Sequence, residues 1–364
     1  VGGDYHADPA YIQYFTGGLG NLDVDITALV EQWIAGSKSN YGVGVRLTAS
    51  NEAYFSSSAG VDSGSVIQNP NGAKTSYYTK RFFARGSQYF FKRPVIEARW
   101  DSTTQDDRAA FYFSSSLATK SENLNTLYLY NYARGKLRNI PSVGTGHIYV
   151  SLYSGSSDNT EPSGSKLVLY DAETAMTGGH HDTGIYTCSV ALTKSTSVTL
   201  ETLYDVWHDN DGTEFFTGSI KPYTLRGSTH AREPTYYLSI TNLQNSYMRD
   251  QNARFNLYVR EKNWSPTIYT KAIASAPTET IYSASYRVIR TIDGLEAVPF
   301  YTGSSNKHAT GLSYDVSGNY FDLDMSLLEP GYEYAFKFAF YDDELGSWQE
   351  QNEQFKFRVD DYEH

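Results

Sequence analysis

Three groups of residues in this chain are of types and spacings that could do chemistry. His180-His181-Asp182, set in Gly178-Gly-His-His-Asp-Thr-Gly184, offers two imidazoles and a carboxylate, ordinary ligands for a transition metal. Adjacent residues point in different directions, however, and no second His/Cys cluster elsewhere in the sequence matches them. Asp205-Val-Trp-His208-Asp209-Asn-Asp211-Gly212-Thr-Glu214 places acidic oxygens around a glycine, as a calcium loop does. The Asp209-x-Asp211-Gly212 core is present and the bidentate Glu position is not, and Asp211-Gly212 equally reads as a type I′ hairpin turn. The third group is carboxylate pairs, Asp322/Asp324 and Asp342/Asp343/Glu344. Glycoside hydrolysis needs two such groups about 5 to 10 Å apart across a sugar cleft. Asp322 and Asp324 alternate with Phe321, Leu323 and Met325, so they read as the solvated face of a strand. There is no Gly-x-Ser-x-Gly elbow, no Cys/His pairing and no phosphate loop. The residues thus point to no catalytic group and no bound cofactor, with calcium at Asp209 and Asp211 and a metal at His180 and His181 as the ligand options.

The elements that would position these groups are strands. Tyrosine and phenylalanine number 32 and 18 against 3 methionines, a composition suited to pleated, half-buried surfaces. At 364 residues the chain is long enough for two or three domains. Ile148/Val150/Leu152 and Phe255/Leu257/Val259 alternate with polar or tyrosine neighbours, the pattern of strands buried on one face. Tyr332, Tyr334, Phe336, Phe338 and Phe340 repeat this in extreme form and are expected inward or toward the domain corner, with Glu333, Lys337 and Ala339 outward. The segments Ser154 to Ser165 and Ala172 to Thr183 read as long loops, and Asp101 to Arg108 as a polar linker or connecting loop. One helix is expected, Ala28 to Ala35, capped by Thr27 and closed by Gly36, with a strand before it at Asp23 and another ending at Ile96, Ala98 and Trp100.

Charge and cysteine usage narrow the partners. A formal charge of −11 disfavours a nucleic-acid partner, and no apolar run approaches the roughly 20 residues of a membrane span. The nearest approach to a basic cluster, Lys80, Arg81, Arg85, Lys92 and Arg93, reads as solvated edge guards or as partners of local carboxylates. Cys188 is alone and alternates with Tyr186 and Val190, so it reads as a buried strand residue that forms no internal disulfide.

Particular segments resemble known families. Asp23-Val-Asp-Ile-Thr-Ala-Leu-Val-Glu-Gln-Trp33-Ile-Ala-Gly36, with Tyr78 to Trp100, resembles the C-terminal half of the DNRLRE domain, a β-sandwich module of bacterial surface and phage proteins. Because few residues precede it and the chain opens Val1-Gly2-Gly3, the resemblance implies a first module truncated at its N-terminus. Leu328-Glu-Pro330-Gly-Tyr332-Glu-Tyr334 resembles the tyrosine corner of fibronectin III and immunoglobulin-like sandwiches, which implies that Tyr334 hydrogen-bonds the backbone upstream. Asp205 to Ser219, Thr241 to Phe255, Tyr258 to Lys271 and Leu312 to Tyr332 resemble large virion structural proteins of tailed marine phages, especially those of cyanobacteria. The combined expectation is an all-β chain of tandem antiparallel β-sandwiches with one short helix in the first. The expected domains are 1–101 (DNRLRE-like), 102–262 (a looped sandwich) and 263–364 (fibronectin III/Ig-like). The resemblance implies a non-enzymatic virion component of the neck, tail or a fibre-like appendage, assembled in the bacterial cytoplasm. Its partners would be other virion proteins and further copies of itself. A host-surface glycan adhesin is the alternative, and a polysaccharide-degrading enzyme a more distant one.

Overall fold

The computed structural model describes residues 8–48, 51, 80–155, 162–169, 173–194, 200–224, 235–262, 278–302, 308–343 and 345–362. The chain divides into two compact units, Val1–Pro94 and Val95–His364, and it is an all-β protein of tandem β-sandwich domains with one short α-helix among the described residues.

In the first unit that helix is α1, Thr27–Ile34. Thr27 is its first residue and not its cap. Ile26 holds the cap position, and the Asp25 carboxylate accepts the Thr27 N–H at 2.9 Å and its hydroxyl at 2.6 Å. The expected end is correct: Gly36 takes φ +70° and Ser37 N–H donates to Gln32 O at 3.0 Å, the left-handed close for which glycine has no Cβ penalty. No strand forms at Asp23, and none of this unit's described residues is buried. The strand expected at Ile96 to Trp100 is likewise absent. That segment carries no ladder partner among the described residues, and Ile96 and Trp100 are 72% and 63% exposed. Alternation alone does not make a strand without a neighbour to bond.

The second unit holds two sandwiches. The first uses β1 (Tyr112–Phe113), β2 (Asn125–Tyr130), the small hairpin β3 (Tyr132–Ala133) and β4 (Lys136–Leu137), β5 (His147–Gly155), β6 (Pro162–Lys166), β7 (Met176–Asp182), β8 (Ile185–Val190), β9 (Thr202–His208), β10 (Glu214–Ile220) and β11 (Tyr223–Thr224). Its main sheet runs β10-β9-β5-β7-β8-β2, all antiparallel, with β6 also on β5. The parallel pair β1–β11 joins one edge to the other: Asn125 of β2 bonds the Tyr112 backbone on both sides, and β11 follows β10 by two residues. Leu127, Leu129, Ile148, Val150, Leu152, Tyr186, Cys188, Leu203 and Trp207 supply the core on one face of the sheet, covered by Phe111, Ile140 and Leu192 from the segments between strands. Cys188 is buried as expected, and burial pushes its thiol up to about 12. The expected loop at Ala172 to Thr183 is mostly strand β7. Its Gly178-Gly179 pair reads as loop, but Gly178 is needed in the sheet, because a Cβ there would collide with the Thr187 carbonyl across the ladder.

The second sandwich comprises β12 (Tyr236–Ile240), β13 (Ser246–Met248), β14 (Asn252–Glu261), β15 (Ala284–Arg290), β16 (Glu296–Val298), β17 (Ser313–Asp315), β18 (Gly318–Asp324), β19 (Glu333–Asp342), β20 (Ser347–Glu350) and β21 (Phe355–Asp360). One sheet is β12-β14-β18-β17 and the other β13-β21-β19-β15-β16, with β13 parallel to β21. This is immunoglobulin-like strand order. It corrects the expected boundary at 262/263: β14 pairs with β18 from Asn252↔Asp324 to Leu257↔Asn319, so Tyr236 to Glu261 belong to the C-terminal sandwich. The region Trp264 to Pro277, read as the start of that domain, lies outside the described residues. The tyrosine corner forms as the resemblance implied, with the Tyr334 hydroxyl donating to Glu329 O at 2.8 Å. Two residues on, where a disulfide cysteine stands in antibody domains, Phe336 meets Phe255 of β14 edge-on at 4.7 Å and stacks on Phe357 at 4.5 Å. Packed aromatics take over the role of the cross-link, each such pair adding about 0.5–1.5 kcal/mol beyond its buried area.

Strand β19 also corrects one face of the expected pattern. Tyr334, Phe336, Phe338 and Phe340 are buried, but so are Ala335 and Ala339. Lys337 is half-buried, its ammonium paired with Glu350, which Arg287 also holds at 2.8 Å. A central strand with neighbours on both sides buries small residues on either face.

Candidate functional site

The sequence candidates separate once placed. His180 and His181 follow one another along β7, His180 edge-on to Tyr186 and His181 edge-on to Tyr128, with Asp182 bonded to the next backbone N–H. Opposite faces of a strand cannot converge on one ion, and no group of three metal-ligating side chains occurs among the described residues. Asp209 opens the β9–β10 hairpin. Its carboxylate accepts N–H groups from Asp211 at 3.0 Å and Thr213 at 2.8 Å, which lowers its pKa, the Thr213 bond first. The turn is not type I′: only Gly212 has positive φ, at +86°, so Asp209 to Gly212 is an ordinary turn ending in a glycine bulge. Asp209 therefore serves the hairpin, and Asp211 lies exposed beside it. Asp322 is on the exposed face as read, bidentate to Arg254 at 3.0 Å, and Asp324 caps the following 3-10 turn. Glu344 lies outside the described residues.

Two arrangements had no signal in the sequence. On the outer face of the main sheet, Ser151 Oγ lies 2.8 Å from His208 Nε2, while His208 Nδ1–H donates to Asp209 O at 2.7 Å. The backbone acceptor fixes the tautomer that leaves Nε2 to accept the serine proton, the first requirement of an activated nucleophile. Ser151 has no exposed surface, so no substrate reaches it here, and the pair serves to satisfy two buried polar groups.

The second is the joint between the two sandwiches, built by the stretch Asp101 to Arg108 that reads as a linker. Gln105 bridges Tyr314 of β17 in parallel, with Asp106 N–H donating to Tyr314 O and Tyr314 N–H to Thr104 O, each at 3.0 Å. The chain then turns through a 3-10 helix, Asp107–Ala110, capped by the Asp106 carboxylate. Asp107 ties the domains by accepting Thr126 N–H of β2 at 2.7 Å and the Tyr314 hydroxyl at 2.8 Å. Arg108 reaches in to pair with Asp205 of β9, whose other oxygen accepts Trp207 Nε1–H at 2.8 Å. Gly218, opposite Asp205, leaves the space: a Cβ there would collide with the guanidinium and the carboxylate. Burial raises the Asp106 pKa to about 6, opposed in part by Arg108.

Beside the joint opens a cleft of about 340 Å³ lined by Asp107, Ala110, Tyr112, Phe113, Leu124 and Tyr282 among others. Tyr112 and Tyr282 are partly exposed, and Asn125 and Asp107 in its wall already spend hydrogen bonds on the backbone and on Tyr314. An open groove with tyrosine rings at a domain junction can hold a flat, polar-edged ligand such as a sugar.

No protein-family model matches the sequence, and no curated protein matches it. Seventy-five chains of solved structures do. A titin structure is 9% identical at TM-score 0.18, covering 70% of this chain and 94% of its own. A single-site mutant of Salmonella alpha-2-macroglobulin is 7% identical at TM-score 0.18, covering 61% of this chain and 13% of its own. The immunoglobulin-like assignment rests on this chain's own strand order and tyrosine corner.

Proposed function

We propose that this chain is a non-enzymatic structural component of a tailed-phage virion, of the neck, tail or a fibre-like appendage, held in place by protein contacts. The observation that carries the reading is the joint. A flexible tether would let two sandwiches act as separate binding heads. Here a strand bridge from Gln105 to Tyr314 and the Asp107–Tyr314 bond tie the two sandwiches together, and the buried Arg108–Asp205 pair anchors the same segment to the first, which supports a part that transmits load over a pair of free heads. The sequence resemblance to phage virion proteins supplies the particle. Immunogold labelling of purified phage particles with antibody against this chain tests it: label at a fixed position on the particle is expected, and unlabelled particles with the protein left in the soluble lysate would refute it.

A second reading, a host-surface glycan adhesin, draws on the Tyr112/Tyr282 cleft. Retention on a glycan array that is lost in a Tyr112→Ala/Tyr282→Ala variant would favour it over a purely structural role.

A further inference from the structure

In the sequence Lys80, Arg81, Arg85, Lys92 and Arg93 are open to two readings, solvated edge guards or partners of local carboxylates, and the pairing does not form among the described residues. Residues 80–93, Lys-Arg-Phe-Phe-Ala-Arg-Gly-Ser-Gln-Tyr-Phe-Phe-Lys-Arg, hold five cations, five aromatic rings and no acid, and the flanking acids in sequence are as far away as Asp62 and Glu97. Lys80 donates to Gly18 O at 2.8 Å and lies over the Phe15 ring. Arg93 donates to Ser87 O at 2.8 Å. None of the five makes an ion pair among the described residues, and Arg81, Arg85, Lys92, Phe82, Phe83 and Tyr89 are exposed. In the second unit the pattern is the reverse: Arg108, Arg254, Arg287, Arg290, Lys337 and Lys356 all have carboxylate partners. Charge is segregated along the chain. Residues 1–94 contain eight Lys/Arg and seven Asp/Glu, whereas residues 95–364 contain 22 and 34.

Unpaired cations interleaved with exposed aromatic rings form a surface that binds something acidic and partly apolar, and arginine and aromatic residues are the types enriched at protein interfaces. We propose that residues 80–93 are a docking segment for the acidic body, residues 95–364, of a second copy of this chain, so that copies associate. Charge complementarity selects this occupant. Residues 80–93 carry five cations and no acid, and the body of a second copy carries 34 Asp/Glu against 22 Lys/Arg, so the contact joins opposite charges. Such a contact uses different surfaces on the two partners, so it closes either reciprocally into a two-fold dimer or head to tail into a ring or filament.

Sedimentation equilibrium of the full chain tests this. At about 50 mM salt the mass is expected above the 40.8 kDa of one chain, falling to a single chain near 0.5 M, where screening shortens to a few ångströms. An Arg81→Glu/Arg85→Glu/Lys92→Glu variant should remain a single chain at both salts with unchanged far-UV circular dichroism. Replacing those three by other cations (Arg to Lys, Lys to Arg) should keep the assembly. A single chain at both salts, or an assembly that survives the charge reversal or ignores salt, would overturn the proposal. So would salt-sensitive binding of a labelled single-stranded oligonucleotide by a protein that does not self-associate, which would reassign the segment to a polyanion.

Discussion

The buried pair Arg108–Asp205 gives the most direct test of the joint. Asp205 has no exposed surface and the Arg108 side chain only 12%. In Arg108→Met the carboxylate would keep one hydrogen bond, from Trp207 Nε1, and lose its counter-charge. Breaking a buried pair from one side costs about 3–5 kcal/mol, because a charge stays behind without compensation. Removing both partners is different: Arg108→Met/Asp205→Leu leaves no buried charge but strips Trp207 Nε1–H of its acceptor, and should cost about 1–3 kcal/mol, less than the sum of the single variants. The two single variants and the double therefore form a cycle with a coupling of several kcal/mol. Gly218→Ala, which forces a methyl group between guanidinium and carboxylate, should behave like the single variants. The assay is urea unfolding of the full chain followed by far-UV circular dichroism, with Trp207 fluorescence as a local probe. Small-angle scattering adds the functional arm: Tyr314→Ala, which removes the bond to Asp107 across the joint, should show a broader distribution of dimensions as the two sandwiches uncouple. If Arg108→Met costs less than about 1 kcal/mol, water reaches the pair, and the argument for a rigid joint fails.

Further outcomes follow from the same geometry. Asp106, with its folded pKa raised from 3.8 to about 6 by burial, contributes stability that is full below about pH 4 and lost as pH rises through 6, roughly 3 kcal/mol in all. Asp106→Asn, which keeps the cap acceptor, should flatten thermal stability across that window, and an unchanged profile would refute the assignment. Tyr334→Phe removes the corner bond to Glu329 O and should cost about 1–2 kcal/mol by urea melting, against about 3–5 for Phe336→Ala in the aromatic core. Lys337→Ala should cost no more than about 1 kcal/mol, because Arg287 remains on Glu350, and a loss matching Phe338→Ala would contradict this. Chelator should leave the melting temperature unchanged, since Asp209 is engaged by the backbone of its own hairpin, and a drop reversed by calcium would show otherwise.

Much of the fold was legible in the residues because it is local. The period-2 runs around Phe255 and Phe336, the glycine close at Gly36, the buried Cys188 and the tyrosine corner all depend on neighbours a few positions away. What pairs with what is not local. The expected domain boundary failed because the partner of β14 lies some sixty residues downstream in β18, and nothing near Glu261 records that. Asp101 to Arg108 has the composition of a solvated linker, and only the approach of Tyr314 and Asp205 turns its charges into a buried joint. In the same way His180 and His181 are adjacent in sequence but diverge on a strand, and Ser151 and His208, 57 positions apart, are brought within 2.8 Å. Composition and periodicity determined that this chain folds into β-sandwiches. Strand pairing, settled by which apolar faces can be buried together, decided where its domains end and which polar groups meet.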